Sequence, residues 1–309
     1  LWCLQLKPET GGLGVGRVGM AACYEEMNRS IFGPVCFNSA APDDGRLYIV
    51  VASAEGMASP GLDALVQSLY QLPETVLAVV APDLTLPFPP APPADGSPPA
   101  STFQSTLSGY PGIVVQGDTT TAVQAAIAGT LPGLPPDAGT PELVITGMNT
   151  GQLIGSLADF SADVPPAQAA AAEGLPALVV SQGVDTTPPE FATGGLQTQA
   201  WVTDHHDALV AGDLPAAVSI LSVPSCVAGD PRGLLEVPIA ADDAGRSLNA
   251  VDCTSAATDP ADDIDAFNAG YATLTELTAD AATSTTTAAA PATTVAPGLR
   301  PQKFRVSTG

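Results

Sequence analysis

Positive charge and histidine are both scarce in this sequence. Its 309 residues include nine lysines and arginines against 32 aspartates and glutamates, for a formal net charge of −23, and only two histidines. Because this charge repels phosphate backbones and anionic lipids, we predict no binding to nucleic-acid polymers or to anionic membranes. The two histidines and the lack of a G-x-S-x-G motif also argue against a hydrolase built on a Ser-His-Asp triad.

Three further absences narrow the class of protein. No run of about 18 apolar residues occurs, so we predict no membrane-spanning helix. The five cysteines form no C-x-x-C pair, which argues against a structural zinc site. Residues 1–22 show no basic start followed by an apolar stretch, so no signal peptide is visible.

Both ends of the chain lack the apolar periodicity of a folded segment. Residues 1–44 are rich in glycine and are predicted to form a disordered leader. Residues 279–309 are rich in Ala, Thr and Pro, a composition that buries too little surface to offset chain entropy, and are predicted to form a flexible tail. Tails of this composition are common on exported proteins, which favours an extracellular or periplasmic location, with the cytoplasm as the alternative. We predict that both ends can be removed without unfolding the domain between them.

Residues 45–278 alternate short apolar runs with stretches of helical spacing. Such runs suit strands that are buried on both faces of a parallel sheet. The alternation predicts an α/β domain of three layers, with helices on both faces of a doubly wound, mostly parallel sheet. Strands are predicted at 47–51, 76–80, 113–115, 143–145, 177–180, 218–223, 234–239 and 271–277, helices at 60–69, 119–128, 165–173 and 190–211, and a long Pro-rich loop at 83–109.

Five segments follow one another in the order seen in the SurE-type nucleotidase and phosphatase family. The most informative is Pro141–Gly151, PELVITGMNTG, which resembles the family's Pro-Asp-x-Val-x-Ser-Gly-x-Asn-x-Gly. The resemblance implies a Rossmann-type sheet with a C-terminal β extension, a divalent metal such as Mg²⁺ or Mn²⁺, and release of phosphate from nucleoside monophosphates. The other four similar segments are Leu47–Leu62, Val79–Pro82, Leu175–Ser181 and Asp265–Thr275.

Most of the metal ligands that the resemblance implies are missing. The family holds its metal with two adjacent aspartates, a serine and an asparagine, and these positions are occupied here by Ala54, Glu55, Pro87 and Asn149. Alanine and proline offer no side-chain oxygen to a hard cation. The resemblance therefore leaves Glu55 and Asn149 as the metal ligands, and no catalytic residue is identified.

The resemblance also places a phosphate-binding site, at Gly147 and at Ser161. The turn Ser161-Ala162-Asp163 stands where the family has Ser-Gly-Thr. Asp163 thus brings a negative charge to a place where a phosphate should bind.

Two functions remain open. The first is a pseudoenzyme: a phosphatase scaffold with weak or no catalysis, with or without a cofactor, which binds a nucleotide or phosphate, a paralogue or a second copy of itself. The alternative is an active metal-dependent phosphohydrolase, in which Asp83, Asp118 or Asp163 assists Glu55 and Asn149.

Two cysteines, Cys226 and Cys253, lie within the region that we predict to fold. They are interpreted either as a disulfide or as two buried thiols. A disulfide would stabilise the fold by about 3–4 kcal/mol and imply an oxidising compartment. Because their segments flank the later strands and resemble those of exported members of the family, we predict α-carbons within about 7 Å of each other.

Overall fold

The computed structural model describes residues 45–85, 97–135, 139–243 and 245–277, together with three short strands nearer the start of the chain. These strands are β1 (Trp2–Leu6), β2 (Leu13–Arg17) and β3 (Val35–Phe37), and they form an antiparallel sheet in the order β2-β1-β3. No regular structure was predicted here, because the glycines of β2 lower its strand propensity. The remaining residues of the leader and the tail at 279–309 lie outside the described residues, and their removal stays a prediction.

Nine strands form the main sheet. From one edge to the other their order is β11-β12-β10-β9-β8-β4-β5-β7-β6. The strands are β4 (Leu47–Ala52), β5 (Thr75–Pro82), β6 (Ser101–Ser105), β7 (Pro111–Val115), β8 (Leu143–Thr150), β9 (Ala177–Gln182), β10 (Val218–Val223), β11 (Leu234–Glu236) and β12 (Ala272–Leu277).

The helices lie on both faces of this sheet, as predicted. Side chains of β4 alternate, so that Ile49 packs with the helices of one face and Val50 with those of the other. None of the described helices is long and apolar enough to cross a membrane. The helices are α1 (Pro60–Leu69), α2 (Thr119–Ile127), α3 (Val164–Ala172), α4 (Phe191–Ala211) and α5 (Asp263–Asn268), and a 3-10 helix covers Gly155–Phe160.

The six central strands, β10-β9-β8-β4-β5-β7, are all parallel. Chain order runs outward from β4 in one direction and from β8 in the other, which is the doubly wound arrangement. The predicted fold class is confirmed, and β11 and β12 supply the expected C-terminal extension. In such sheets the crevice between the two central strands is the usual binding place, so β4 and β8 define where a ligand is expected.

Helix α1 is fixed against the end of β8 by its first residues. Ser59 caps the helix, because its hydroxyl oxygen accepts a hydrogen bond from Leu62 N at 3.3 Å. Gly61 follows, and a β-carbon at this position would stand 2.4 Å from the carbonyl oxygen of Met148. A glycine is therefore needed for the helix to approach the strand this closely.

Two local predictions were wrong, and one helix was missed. The proposed loop at 83–109 contains β6, an exposed edge strand that pairs antiparallel with β7 and has a mostly polar sequence, so no apolar run marked it. Strand β11 ends at Glu236 rather than at residue 239, and the short helix α5 was not foreseen.

The predicted proximity of Cys226 and Cys253 is confirmed. The two residues form a disulfide with α-carbons 5.8 Å apart, across a separation of 27 positions. The alternative interpretation, two buried thiols, is wrong.

Candidate functional site

The loops that follow β4 and β8 meet at the carboxyl edge of the sheet, where the chain order reverses. The first loop carries Ala54 and Glu55, and the second begins with Asn149 and Thr150. Strands β4 and β8 are paired in register, with Ala52 opposite Thr146, which is why both loops emerge at one point. The topology therefore brings together the predicted metal-binding residues.

Glu55 is held by three hydrogen bonds from the protein, which we call the Glu55 clasp. Thr150 donates its backbone N–H to Oε1 at 2.9 Å and its hydroxyl to Oε2 at 3.0 Å. The hydroxyl of Ser59 donates to Oε2 at 3.1 Å. A carboxylate has about four acceptor positions, so most of those of Glu55 are already in use. The clasp joins the loop after β4, the start of α1 and the end of β8.

Asp163 reaches the same loop from the start of α3. Its Oδ1 accepts a hydrogen bond from Ala54 N at 2.8 Å, and its own backbone oxygen accepts one from the Thr146 hydroxyl at 2.7 Å. The side chain is fully buried, and its Oδ2 has no hydrogen-bond partner in the described part of the protein. Burial raises the pKa of this carboxyl to about 6, with a further rise from the charge of Glu55 and an opposing effect of the Ala54 N–H.

Asn149 is half-buried at the mouth of the site. Its Nδ2 donates to the carbonyl oxygen of Gly151 at 2.9 Å, and Gly151 N donates to the carbonyl oxygen of Gln182 at 2.8 Å. These contacts orient the amide and leave its Oδ1 as the atom that could bind a cation. One amide oxygen is a weak contribution to a divalent site compared with a carboxylate.

The two residues predicted to bind phosphate have structural roles in this arrangement. Gly147 has φ of 122°, and a β-carbon there would lie 2.3 Å from the carbonyl oxygen of Val180. Ser161 follows the 3-10 helix, and its hydroxyl oxygen accepts a hydrogen bond from Asp163 N at 3.1 Å. A phosphate next to Ser161 would also be near the buried carboxyl of Asp163, which disfavours anion binding.

The other acidic residues that were considered close local turns. Asp118 caps α2 by accepting hydrogen bonds from Thr121 N and its hydroxyl, both at 2.7 Å. Asp83 accepts two hydrogen bonds from Thr85 in the same way. Pro87 lies outside the described residues.

The described residues fit a divalent cation poorly. Within the described ranges, no group of three or more His, Cys, Asp or Glu side chains could hold a metal ion. Position 54 has a methyl group, and Glu55 has most of its lone pairs taken by protein donors. A hard cation that needs several oxygen ligands would have to displace these donors.

Two residues of the clasp were not foreseen as part of the site. Ser59 was not among the predicted site residues, although its hydroxyl both accepts a hydrogen bond from Leu62 N and donates one to Glu55. Thr150 was treated as the variable position between Asn149 and Gly151. Glutamate is one methylene longer than the aspartate of the family. This extra length at position 55 is the signal that could have suggested a hydrogen-bond partner across the site.

The raised pKa of Asp163 predicts a pH-dependent stability. The folded state favours the protonated carboxyl. Its contribution to the free energy of unfolding is therefore fully present below the unfolded pKa near 3.8 and is lost as the pH rises through the folded pKa of about 6. Asp163→Asn keeps an oxygen for Ala54 N, so in the presence of a chelator it should be more stable than the natural protein by about 3 kcal/mol at pH 8 and close to equal to it near pH 4.

Urea denaturation at the two pH values measures this difference. The matched control is Asp118→Asn, which removes a charge from an exposed helix cap and should weaken the fold slightly at both pH values. An equal effect of Asp163→Asn at pH 4 and pH 8 would show that the carboxyl is not destabilised by burial.

Comparisons with known proteins identify the family and the fold of the chain. Residues 49–232 match the family model described as survival protein SurE. A protein named 5'-nucleotidase SurE from Chloroflexus aggregans is 34% identical over 142 residues, covering 44% of this chain and 51% of the relative. Its namesake from Syntrophotalea carbinolica is 34% identical over 144 residues, covering 45% of this chain and 51% of that protein. The chain spans about half the length of these curated relatives.

A solved structure shares the fold. The crystal structure of SurE protein from Aquifex aeolicus superposes with a TM-score of 0.51 at 16% sequence identity, covering 74% of this chain and 92% of the other. At this identity the likeness concerns the fold.

Proposed function

Because this chain belongs to the SurE family of survival proteins, we propose that it is a phosphatase-fold protein with weak or no catalysis, which acts by binding. The observation that carries the proposal is the Glu55 clasp. Where the family's metal ligands are expected, one position is Ala54 and the other is a carboxylate engaged by Ser59 and Thr150.

The chemistry of phosphate release explains why this matters. A metal in such a site polarises the phosphoryl group and activates water, and this requires a firmly held cation. Two carboxylates bind a divalent cation far more strongly than one carboxylate and one amide. With Ala54 beside an engaged Glu55, the donors that remain are too few for tight binding.

The charge of the site disfavours an anionic ligand. Glu55 and the buried Asp163 are close enough for the charge of one to raise the pKa of the other, and the chain as a whole carries a net charge of −23. Without a cation to offset these charges, a nucleotide would bind weakly. We propose a paralogue or a second copy of this chain as the partner, and no role in binding nucleic-acid polymers.

Calorimetry with Mn²⁺ and an assay of phosphate release from nucleoside monophosphates test the proposal together. We expect a dissociation constant for Mn²⁺ weaker than about 1 mM and no release above the uncatalysed rate. Micromolar binding together with turnover would overturn it. Glu55→Gln is the control for any weak binding of Mn²⁺, because it removes the charge of the Glu55 side chain and keeps the size of that side chain.

One observation favours the alternative, an active metal-dependent phosphohydrolase. Oδ2 of Asp163 is buried without a partner among the described residues, and such an atom calls for a proton, a water molecule or a cation. Together with Glu55 and Asn149 it could contribute to a relocated metal site. In that case Asp163→Asn should abolish both metal binding and turnover, whereas under the leading proposal it changes neither.

The disulfide supports export to an oxidising compartment. We predict that Cys226 and Cys253 resist alkylation when cells that produce the protein are lysed in denaturant together with the alkylating reagent. Both cysteines should become labelled after reduction. Mass spectrometry of the alkylated peptides measures this. Full labelling before reduction would place the protein in a reducing compartment.

A further inference from the structure

A segment whose described residues form no helix or strand lies against the loop that follows β8 and the start of the 3-10 helix after it. We call residues 240–253 the covering segment; residue 244 within it lies outside the described residues. Asp243 accepts hydrogen bonds from Ser156 N at 3.2 Å and from the Ser156 hydroxyl at 2.6 Å, and the carbonyl oxygen of Leu248 accepts one from the side chain of Gln152. Ile154 is buried in a small apolar cluster that includes Ala240.

Asp263, at the start of α5, joins the covering segment to the same loop. Its Oδ2 accepts a hydrogen bond from Gly155 N at 2.9 Å, and its Oδ1 accepts one from Ala240 N at 2.8 Å. The side chain is fully buried. Because a buried carboxylate must keep its donors, the loop and the covering segment are bound to one group and are expected to move together.

The far end of the covering segment is anchored by the disulfide. Cys253 is bonded to Cys226, which follows β10, and Asp252 N donates to the carbonyl oxygen of Asn268 at 2.8 Å. Gly270 packs so closely that a β-carbon there would lie 2.5 Å from the α-carbon of Cys253. The disulfide is thus the covalent anchor of a segment that is otherwise held by hydrogen bonds, a small apolar cluster and the ion pairs of Arg246 with Asp262 and Asp265.

The loop held in this way also carries the Glu55 clasp. Thr150 binds Glu55, and two residues later Gln152 binds the covering segment. The loop is therefore fixed at one end by the site and at the other by a segment that a disulfide anchors.

We propose that the Cys226–Cys253 disulfide controls the order of the site through the covering segment. When it is oxidised, the segment holds Gln152–Ser156 and thereby the clasp. A dithiol reductant would reduce the disulfide to two thiols by transferring two electrons and two protons, and would itself be oxidised to a disulfide. The covering segment could then open locally. The proposal rests on the proposed function only in taking the mouth between β4 and β8 as the working site.

Hydrogen exchange of the full-length protein, read by mass spectrometry before and after reduction and capping of the thiols, tests this. We expect amides in 149–156 to exchange about tenfold faster in the reduced protein, with those of α2 unchanged. The matched control is the variant Cys226→Ser with Cys253→Ser, which should resemble the reduced protein and not respond to reductant. If 240–253 loosens and 149–156 keeps its protection, the proposal is wrong.

A second variant covers the case in which reduction unfolds the protein. Asp243→Ala with Ser156→Ala removes both hydrogen bonds between Asp243 and Ser156 and leaves the disulfide intact. We expect faster exchange in 149–156 in this variant too, and unchanged exchange would contradict the proposal. The result is independent of the metal and turnover assays, because those report on ligand chemistry and not on loop order.

Discussion

Replacing Ala54 by aspartate is expected to create a manganese site where the natural protein has none of comparable strength. The new carboxylate would stand next to Glu55, on the residue whose backbone N–H already binds Asp163. Adjacent carboxylates at the carboxyl edge of the sheet supply the oxygen ligands that hard cations prefer. We expect the dissociation constant for Mn²⁺ to fall from weaker than about 1 mM to roughly 10 μM, a gain of about 2.7 kcal/mol.

Calorimetry on the full-length protein measures this change, and Ala54→Asn is the matched control because it has the same shape and no charge. Glu55→Asp should be added only as a second step, since the shorter side chain loses the clasp and costs about 1–2 kcal/mol of stability. Turnover would further need Pro87→Ser and a suitable loop around that position. If Ala54→Asp and Ala54→Asn bind Mn²⁺ equally, charge at position 54 is not what the natural site lacks.

Gly61→Ala is expected to destabilise the fold by about 3 kcal/mol. The added methyl group would lie 2.4 Å from the carbonyl oxygen of Met148, and that oxygen belongs to the backbone and cannot rotate away. Helix propensity alone predicts the opposite sign, a gain of about 1 kcal/mol for alanine inside a helix. The sign of the measured change in unfolding free energy therefore shows whether close packing or helix propensity dominates at this position.

Gly212→Ala is the matched control. Gly212 ends α4 with φ of 69°, and no atom lies within 4 Å of the place that an alanine β-carbon would take, so alanine there should cost about 1 kcal/mol through backbone strain alone. Thermal unfolding of both variants gives the comparison. A stabilised Gly61→Ala would mean that α1 can move away from β8 without loss.

The fold followed from the sequence wherever one residue pattern determined one element. The apolar run in β4, the cap at Ser59 and the spacing of apolar residues in α1 each depend on neighbouring positions. Strand β6 did not follow, because its exposed, polar residues are fixed by pairing with β7 and not by burial. When a strand is fixed only by hydrogen bonds to a neighbouring strand, its own residues carry no apolar pattern that predicts it.

The candidate site was predictable in position and not in chemistry. Glu55 and Asn149 could be placed at one edge because parallel strands end together. The hydrogen bonds from Thr150 to Glu55, across 95 positions, depend on how two loops meet in space. The contact of Asp163 with Ala54 N spans 109 positions and was inaccessible for the same reason.

The central position of β4 has a consequence for synthesis on the ribosome. Its neighbour β8 is synthesised much later than the strand itself: Tyr48 N donates a hydrogen bond to the side chain of Glu142, which directly precedes β8, across 94 positions. At about 5–20 residues per second, one edge of β4 waits on the order of 5–20 s for its partner. During that interval one edge of an apolar strand exposes unpaired backbone N–H and C=O groups. A nascent chain is prone to aggregate in this state, so this is the stage at which a chaperone is most needed.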